Sequence, residues 1–466
     1  MLVRIAVMIT LLLPGVVLAS PLPPADPVAE AAAIRWLGGA AHPFTSESPS
    51  DDELQPIVDA LAGARIIGIG EATHGAHEDQ AFKAELIKAL VRSHKVEVLV
   101  LELNRQVGVD LDAYVLGRGG DIPLLVRSPS FFRVWRNDEF TGLLLWLRAF
   151  NLQTDHPVRV LSVDVQDAGV DADLALRFVA GRDPAAANQL RPAFQGLLPG
   201  PGSQRFSVWQ AKVDKAVYAR AVQAAQDLNA LLAKHSADWS GNPEFAEAVY
   251  AAQTARQGLA MFALDGGRGD LDKAGPAYFG KRDQFMAANM LQRLEGRTAV
   301  FWAHDSHVIA DMPTTGSFPV GSTWVGRELR HALGGRYQNV TFAWSHGSFR
   351  AQTMTGSGAE ANTASVLHRT KLVPQDLRND RAGELGAVLS QVGPDRFWVD
   401  LRAAPDTGWA RIFLSTFYYR GWEGWGVDPG KWQQDPDDKA PLRPGSDILV
   451  WFRRITPSHL LPGDDY

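Results

Sequence analysis

Four short apolar runs, each followed by an ionisable residue, constrain this chain more than any other feature. They are Arg65 to Gly70, Val96 to Leu101, Val158 to Val163 and Thr298 to Ala303. Each is short, rich in branched apolar residues and bounded by polar or turn residues, the pattern of a buried strand. Between the first two, Ala76 to Ser93 carries Phe82, Leu86 and Leu90, with Ile87 and Val91 beside them, at helical spacing. The local unit is strand, helix, strand, which implies a parallel sheet with right-handed crossovers. Glu71 and His74 follow the first run, Glu102 the second, Asp164 the third, and His304 and His307 the fourth. Carboxyl ends of parallel strands line one edge of a sheet, and ligands bind in the crevice there. Residues far apart in the chain are thereby expected at one place.

The predicted fold is α/β, with a mostly parallel central sheet flanked by helices and an inserted helical lobe. The lobe is expected at about 170–290, where Ala-rich stretches from Phe206 to His235 and from Pro243 to Leu264 follow the break at Pro199 to Ser203. Such a lobe would wall the crevice. Strand-like runs return at Val340–Trp344, Phe397–Leu401 and Asp447–Phe452, extending the same sheet, with antiparallel pairing open at one edge. No repeat of fixed period is present.

The first residues set the compartment. Arg4, the apolar run from Ile5 to Val17 and the small residues at Val17-Leu18-Ala19 predict a signal peptide over 1–19, cleaved after Ala19, and a periplasmic or secreted protein. The run is shorter than the roughly 20 residues that span a bilayer, so no stable membrane anchor is expected. Residues 20–30 read as a flexible lead-in, and 31–466 as the folded part. With no cysteine, the core alone must hold an exported chain of 466 residues together. A net charge of −6 with no basic stripe argues against nucleic acid and for a small-molecule partner.

Familiar signatures fail. Gly68 to Thr73 lacks the third glycine of a dinucleotide fingerprint and carries Glu71 where pyrophosphate would lie. Gly275 to Lys281 approximates a phosphate-binding loop, but Arg282 replaces the magnesium-binding hydroxyl and no strand precedes it. No G-x-S-x-G elbow occurs, and His77-Glu78 lacks a second histidine four residues on. Histidine and carboxylate without a nucleophilic side chain suit attack by activated water, with Glu71 and His74 as a base and its orienting acid. His304, His307 and Arg282 are candidates to stabilise the oxyanion. Two rivals use the same residues: a divalent-metal-dependent hydrolase, and a non-enzymatic protein whose lobe clamps a small ligand or haem.

Gly70-Glu71-Ala72-Thr73-His74-Gly75, Leu101-Glu102, Val163-Asp164-Val165-Gln166, Arg282-Asp283 with Met286 and Asn289, and Trp302-Ala303-His304-Asp305-Ser306-His307 together resemble the erythromycin esterase family. The ordered set runs from about 65 to 350, with weaker similarity to Pro457. The resemblance implies hydrolysis of an ester or macrolactone by water activated at His74, and a site completed by Glu71, Glu102, His304 and His307; no cofactor is expected, with a divalent metal as the alternative. Lys83, Arg282, Asp283 and Asp164 are expected around the substrate. Bland alternatives stand beside these roles: Glu102 as a structural acid paired with Lys83 or Arg105, Asp164 as a loop anchor, His307 as a tautomer-fixing neighbour of His304, and Arg282 paired with Asp283. Two departures bear on substrate. Lys83 stands where macrolide-cleaving members are expected to carry arginine, giving a point charge in place of a fork. Asp305 stands where asparagine is common.

Overall fold

The computed structural model describes residues 25–464, apart from 201–208, 210–211, 263–270, 313–322, 354–370, 407, 429 and 431–438. Its centre is a 10-stranded sheet. The main strands are β1 (Ile66–Ile69), β2 (Val98–Asn104), β3 (Arg159–Asp164), β4 (Ala299–Trp302), β5 (Tyr337–Thr353), β6 (Leu372–Arg378), β7 (Arg396–Asp400) and β8 (Ile448–Ile455). In space they run β7-β8-β5-β1-β4-β2-β3. The six from β8 to β3 are parallel, while β7 on β8 and β6 on β5 are antiparallel. The fold class is thus as the sequence implied, with β6 and β7 antiparallel in the later part of the chain and the short strand His42–Pro43 antiparallel on β7 at the edge.

Alternation along each strand explains the layering. Ile67, Ile69, Leu99, Leu101, Val300 and Trp302 enter one core. There they meet α3 (His77–Arg92), α4 (Arg105–Val115) and α5 (Asp138–Asn151) through Phe82, Leu86, Leu111, Phe140 and Leu144. Their neighbours Ile66, Val98, Val100, Ala299 and Phe301 point the other way, onto Met286, Met290 and Leu294 of a long helix, Leu271–Leu294. A strand covered on both faces must be apolar at nearly every position, which is why the four runs stand out in the sequence.

The residues between β3 and β4 form a helical lobe with its own core. It contains helices Ala168–Ala180, Lys215–Lys234 and Phe245–Phe262. The second of these begins later than Phe206, its first turn set by Asp214, whose side chain accepts from Ala216 N. Gly275 to Lys281 lies inside the helix Leu271–Leu294, so it forms no phosphate loop. The predicted lead-in is also shortened. Asp26 accepts hydrogen bonds from Val28 N and Ala29 N and starts α1 (Pro27–Ala40), which buries Ala29, Ala33 and Leu37. The signal-like segment lies outside the described residues. No helix among those described is long and apolar enough to cross a membrane.

Strand order positions the site. Although β1 and β2 are consecutive in the chain, β4 lies between them, pairing Ile69 with Trp302 on one side and Leu101 with Trp302 on the other. The loop after β4 therefore opens between Glu71 and Glu102, and Asp164 closes the row on β3.

Candidate active site

Glu71 has no exposed surface. Its Oε1 accepts from His74 Nδ1 at 2.5 Å and from Trp135 Nε1 at 2.9 Å, and its Oε2 accepts from Lys83 Nζ at 2.6 Å. Burial alone would raise this carboxyl, but Lys83 and His74 together hold it below its ordinary range. An ionised Glu71 places the imidazole hydrogen on Nδ1 and leaves the lone pair on Nε2. No described residue bonds that Nε2, and His74 retains 8% exposure. The Trp135 ring stands edge-on to the imidazole at 5.5 Å, and Gln80 Nε2 donates to the His74 carbonyl.

Close approach of two loops makes this geometry possible. Asp305 N donates to Glu71 O, and Gly70 N donates to Val340 O. A Cβ on Gly70 would lie 1.8 Å from Asp305 Oδ1, so only glycine fits there. Lys83, one helical face up from Asp79 on α3, is fully buried and also donates to Ala303 O at 3.1 Å. Its ammonium lies 4.0 Å from the centre of the Trp302 ring.

His304 has both nitrogens engaged. Nδ1 accepts from Ser306 N at 3.2 Å, capping the short helix Asp305–Val308, and Nε2 lies 3.1 Å from Ala72 O. A carbonyl can only accept, so Nε2 carries the hydrogen. Burial, and then the neighbouring His74 at 5.0 Å between ring centres, pushes its pKa down to about 3. His304 is therefore a neutral donor.

His307 is the opposite case. Nδ1 lies 2.8 Å from Asp283 Oδ2 and Nε2 lies 3.1 Å from Glu102 Oε1. Burial opposes its charge, yet these two carboxylates raise its pKa to about 10. Arg282 Nη1 also approaches Nε2 at 3.1 Å. The proton on Nε2 therefore points to Glu102, and the carboxylates offset the contact between like charges. Arg282 grips Asp164 with two bonds of 3.0 and 2.8 Å and reaches Glu102 Oε1 at 2.7 Å. Glu102 is held well below its ordinary range by His307 and Arg282 against the effect of burial, and it also feels His74. Its other oxygen accepts from His304 N at 3.1 Å, tying this cluster to the histidine loop.

All nine residues expected at the site are buried and are joined by hydrogen bonds or ring contacts, with His304 linking the Glu71 and Glu102 clusters. Lys83 and Asp164 have no exposed surface and are engaged by Glu71 and Arg282 respectively. Arg282 pairs with Asp164 and Glu102, one strand-end away, and not with the adjacent Asp283. The donors also fail to converge as a metal site would require: Arg282 fills the place between Glu102, Asp164 and His307 where a cation would sit.

The profile of the erythromycin esterase family matches residues 91–455, most of the chain. The chain belongs to the erythromycin esterase family. That match contains Glu102, Asp164, Arg282, Asp283, His304 and His307, and starts after Glu71, His74 and Lys83. The Bacillus subtilis protein YbfO, named a candidate hydrolase, is 26% identical over 186 residues, which cover 39% of this chain and 40% of that protein. A crystal structure of a Bacillus cereus protein superposes with a TM-score of 0.74 at 23% identity, over 93% of this chain and 99% of that one. A mutant of the erythromycin esterase EreC in its open conformation gives 0.65 at 14% identity, over 88% of this chain and 96% of that one. These structures share the fold of this family member.

Sequence reasoning missed Trp135, Asp79 and the segment near Trp422. Trp135 sits in a short helical turn with no motif around it. Asp79 looks like an ordinary first-turn acid of α3, but it is buried and accepts from Ala72 N at 2.9 Å. Trp422 Nε1 donates to Asp305 Oδ2 at 3.0 Å, and Glu423 N donates to Ala72 O, bringing the C-terminal part over the site. Proximity of Asp79 to Glu71 was the one available signal, since both acids flank a single loop.

Proposed function

We propose that this protein hydrolyses an ester or lactone bond in a small molecule, using water activated by His74. The observation that carries this reading is the division among the three histidines. His307 is held protonated and His304 is held neutral with both nitrogens occupied, which leaves His74 Nε2 as the free imidazole lone pair in the crevice.

Water attacks the carbonyl carbon and its proton passes to His74 Nε2. The resulting imidazolium is stabilised through Nδ1 by the buried carboxylate of Glu71, which Lys83 and Trp135 keep ionised and in place. When the tetrahedral intermediate collapses, the same proton goes to the departing alkoxide, and the products are an alcohol and a carboxylic acid, which then loses its own proton to solvent water. A donor beside His74 is His304 Nε2–H, on a ring whose centre lies 5.0 Å from that of His74, and it turns from Ala72 O to the substrate oxygen. A neutral imidazole can offer that hydrogen to the developing oxyanion without giving up a full proton. Glu71, Lys83, Glu102 and Arg282 act as positioning residues.

A macrolide substrate is suggested by the family name, and export by the basic residue, apolar run and small residues of the N-terminus. The test is hydrolysis of aryl esters, lactones and macrolides by the purified mature protein before and after exhaustive chelation. Turnover that survives chelation is expected. Turnover that disappears with chelation and returns with zinc would replace His74 by a metal as the activator of water.

A further inference from the structure

The His77-Glu78 pair takes no part in the site above, yet His77 opens α3 three residues after His74. Its Nδ1 lies 2.6 Å from Glu139 Oε1 in the first turn of α5, and His459 Nδ1 lies 3.2 Å from the same oxygen. The two imidazole rings are 4.4 Å apart, and the three ligand atoms fall within 4.8 Å of one another. Glu139 is 3% exposed at its side chain, and its Oε2 is buried without any hydrogen-bond donor. A carboxylate oxygen left that way is costly unless something positive meets it.

The backbones that carry these groups are already pinned together. His77 N donates to Thr456 O, Ser458 N to Gly75 O and Asp138 N to His459 O, each at 2.8 Å. The second histidine that the local sequence around His77 lacks is therefore supplied from the far end of the chain.

We propose that His77, His459 and Glu139 bind one divalent transition-metal ion of the zinc class, at a site separate from the hydrolytic one. Two imidazoles and one carboxylate are the ligands such ions prefer, and too few oxygens for calcium or magnesium. Tetrahedral coordination at about 2.0–2.1 Å places donor atoms about 3.3 Å apart, so the His77–Glu139 contact widens while the two imidazole nitrogens, within 4.8 Å of each other, settle to that spacing. The hydrogen now shared there leaves when the ion binds. His459 is 60% exposed at its side chain, leaving room for water as the fourth ligand, and Glu139 Oε2 can accept from that water. The ion would clamp the start of α3, the start of α5 and the C-terminal segment. That clamp adjoins the frame of His74, because Asn137 donates to Gln80, which in turn holds the His74 carbonyl.

The experiment is calorimetric titration of zinc into the metal-stripped full chain, with the thermal midpoint followed in parallel. One ion per chain and a raised midpoint are expected. Glu139→Gln and His459→Ala should each weaken binding on the order of tenfold or more and abolish the thermal shift, while His94→Ala changes neither. Cobalt should give a visible absorption band with the natural chain that His459→Ala removes. No zinc binding, or binding and thermal shift unaltered in His459→Ala, overturns the proposal. The exposed position of His459 means that this variant keeps its fold. Because the readouts are binding and melting, they stand or fall independently of whether esters are cleaved.

Discussion

The two sides of the crevice are built from the same residue types and do opposite things. On the β1 side a single carboxylate, Glu71, holds His74, Lys83 and Trp135, and the histidine keeps one nitrogen free. On the β3 side Glu102, Asp164 and Asp283 surround Arg282 and His307, and both nitrogens of the histidine are spoken for. A histidine beside a carboxylate is thus no evidence of a base by itself. What matters is whether its second nitrogen is left over, and three carboxylates around two cations leave nothing over. On the proposed mechanism the β1 side cycles a proton, whereas the β3 side is a fixed electrostatic frame.

The sharpest way to break this contrast is to remove each histidine in turn. His74→Ala is expected to lower kcat by roughly 10²–10⁴-fold, the range for a lost general base, with an unchanged thermal midpoint. His307→Ala should instead show its main effect in the melt. If the His74 variant keeps near-natural turnover on any ester that the parent cleaves, the assignment of roles is wrong.

Arg282→Met tests the frame next. It leaves Glu102 and Asp164 buried without their common partner, which should cost roughly 3–5 kcal/mol of stability by chemical denaturation. A loss below about 1 kcal/mol would mean that water reaches these carboxylates and that the cluster is not the rigid body described.

How much of this was legible beforehand follows from the same physics. The central strands and the acids and histidines after them were readable because strands covered on both faces must be apolar throughout and must end where the chain turns polar. Strand order was not readable: nothing in Thr298 to Ala303 says that it slots between β1 and β2, yet that insertion sets His304 beside His74. Pairings made from the middle of a helix were equally hidden. Arg282 reaches Asp164 across tertiary space, and its sequence neighbour Asp283 turns to His307 instead. Burial of Lys83 could not be inferred from α3, where Asp79 and Lys83 turn inward to Ala72 N and Glu71 after β1 and Glu78 to Thr456, while Glu85, Lys88 and Arg92 do not.

Glu71→Gln sharpens the β1 side. An amide keeps the size but cannot stabilise a protonated His74, and it leaves Lys83 buried without a counter-charge. The expected result is a drop in kcat on the order of 10²-fold with little change in KM, measured on the best ester of the panel. A change confined to KM would instead place Glu71 among groups that bind substrate.

The smallest effect concerns Asp305, which lies under the β1 side with Oδ1 buried and unbonded. Burial raises its pKa to about 7, against the opposing influence of Arg420, Phe342 N and Trp422. A carboxyl that holds its proton more tightly when folded contributes stability that is complete below its ordinary value and is lost as pH rises through about 7. Asp79 is raised by burial and by Asp305 and Glu71, and so adds a slope of the same sign. Glu71 and Glu102 are lowered, so their stability is lost only in acid, below the ordinary carboxylate value. Asp305→Asn keeps an acceptor for Phe342 N and Trp422 Nε1 and removes the proton-linked part. Urea midpoints of the two proteins at about pH 5 and about pH 8 should therefore converge at the lower pH and separate at the higher, the variant being the more stable there. Equal slopes would show that Asp305 stays ionised throughout, and that Lys83 serves two charges in the floor of the crevice instead of one.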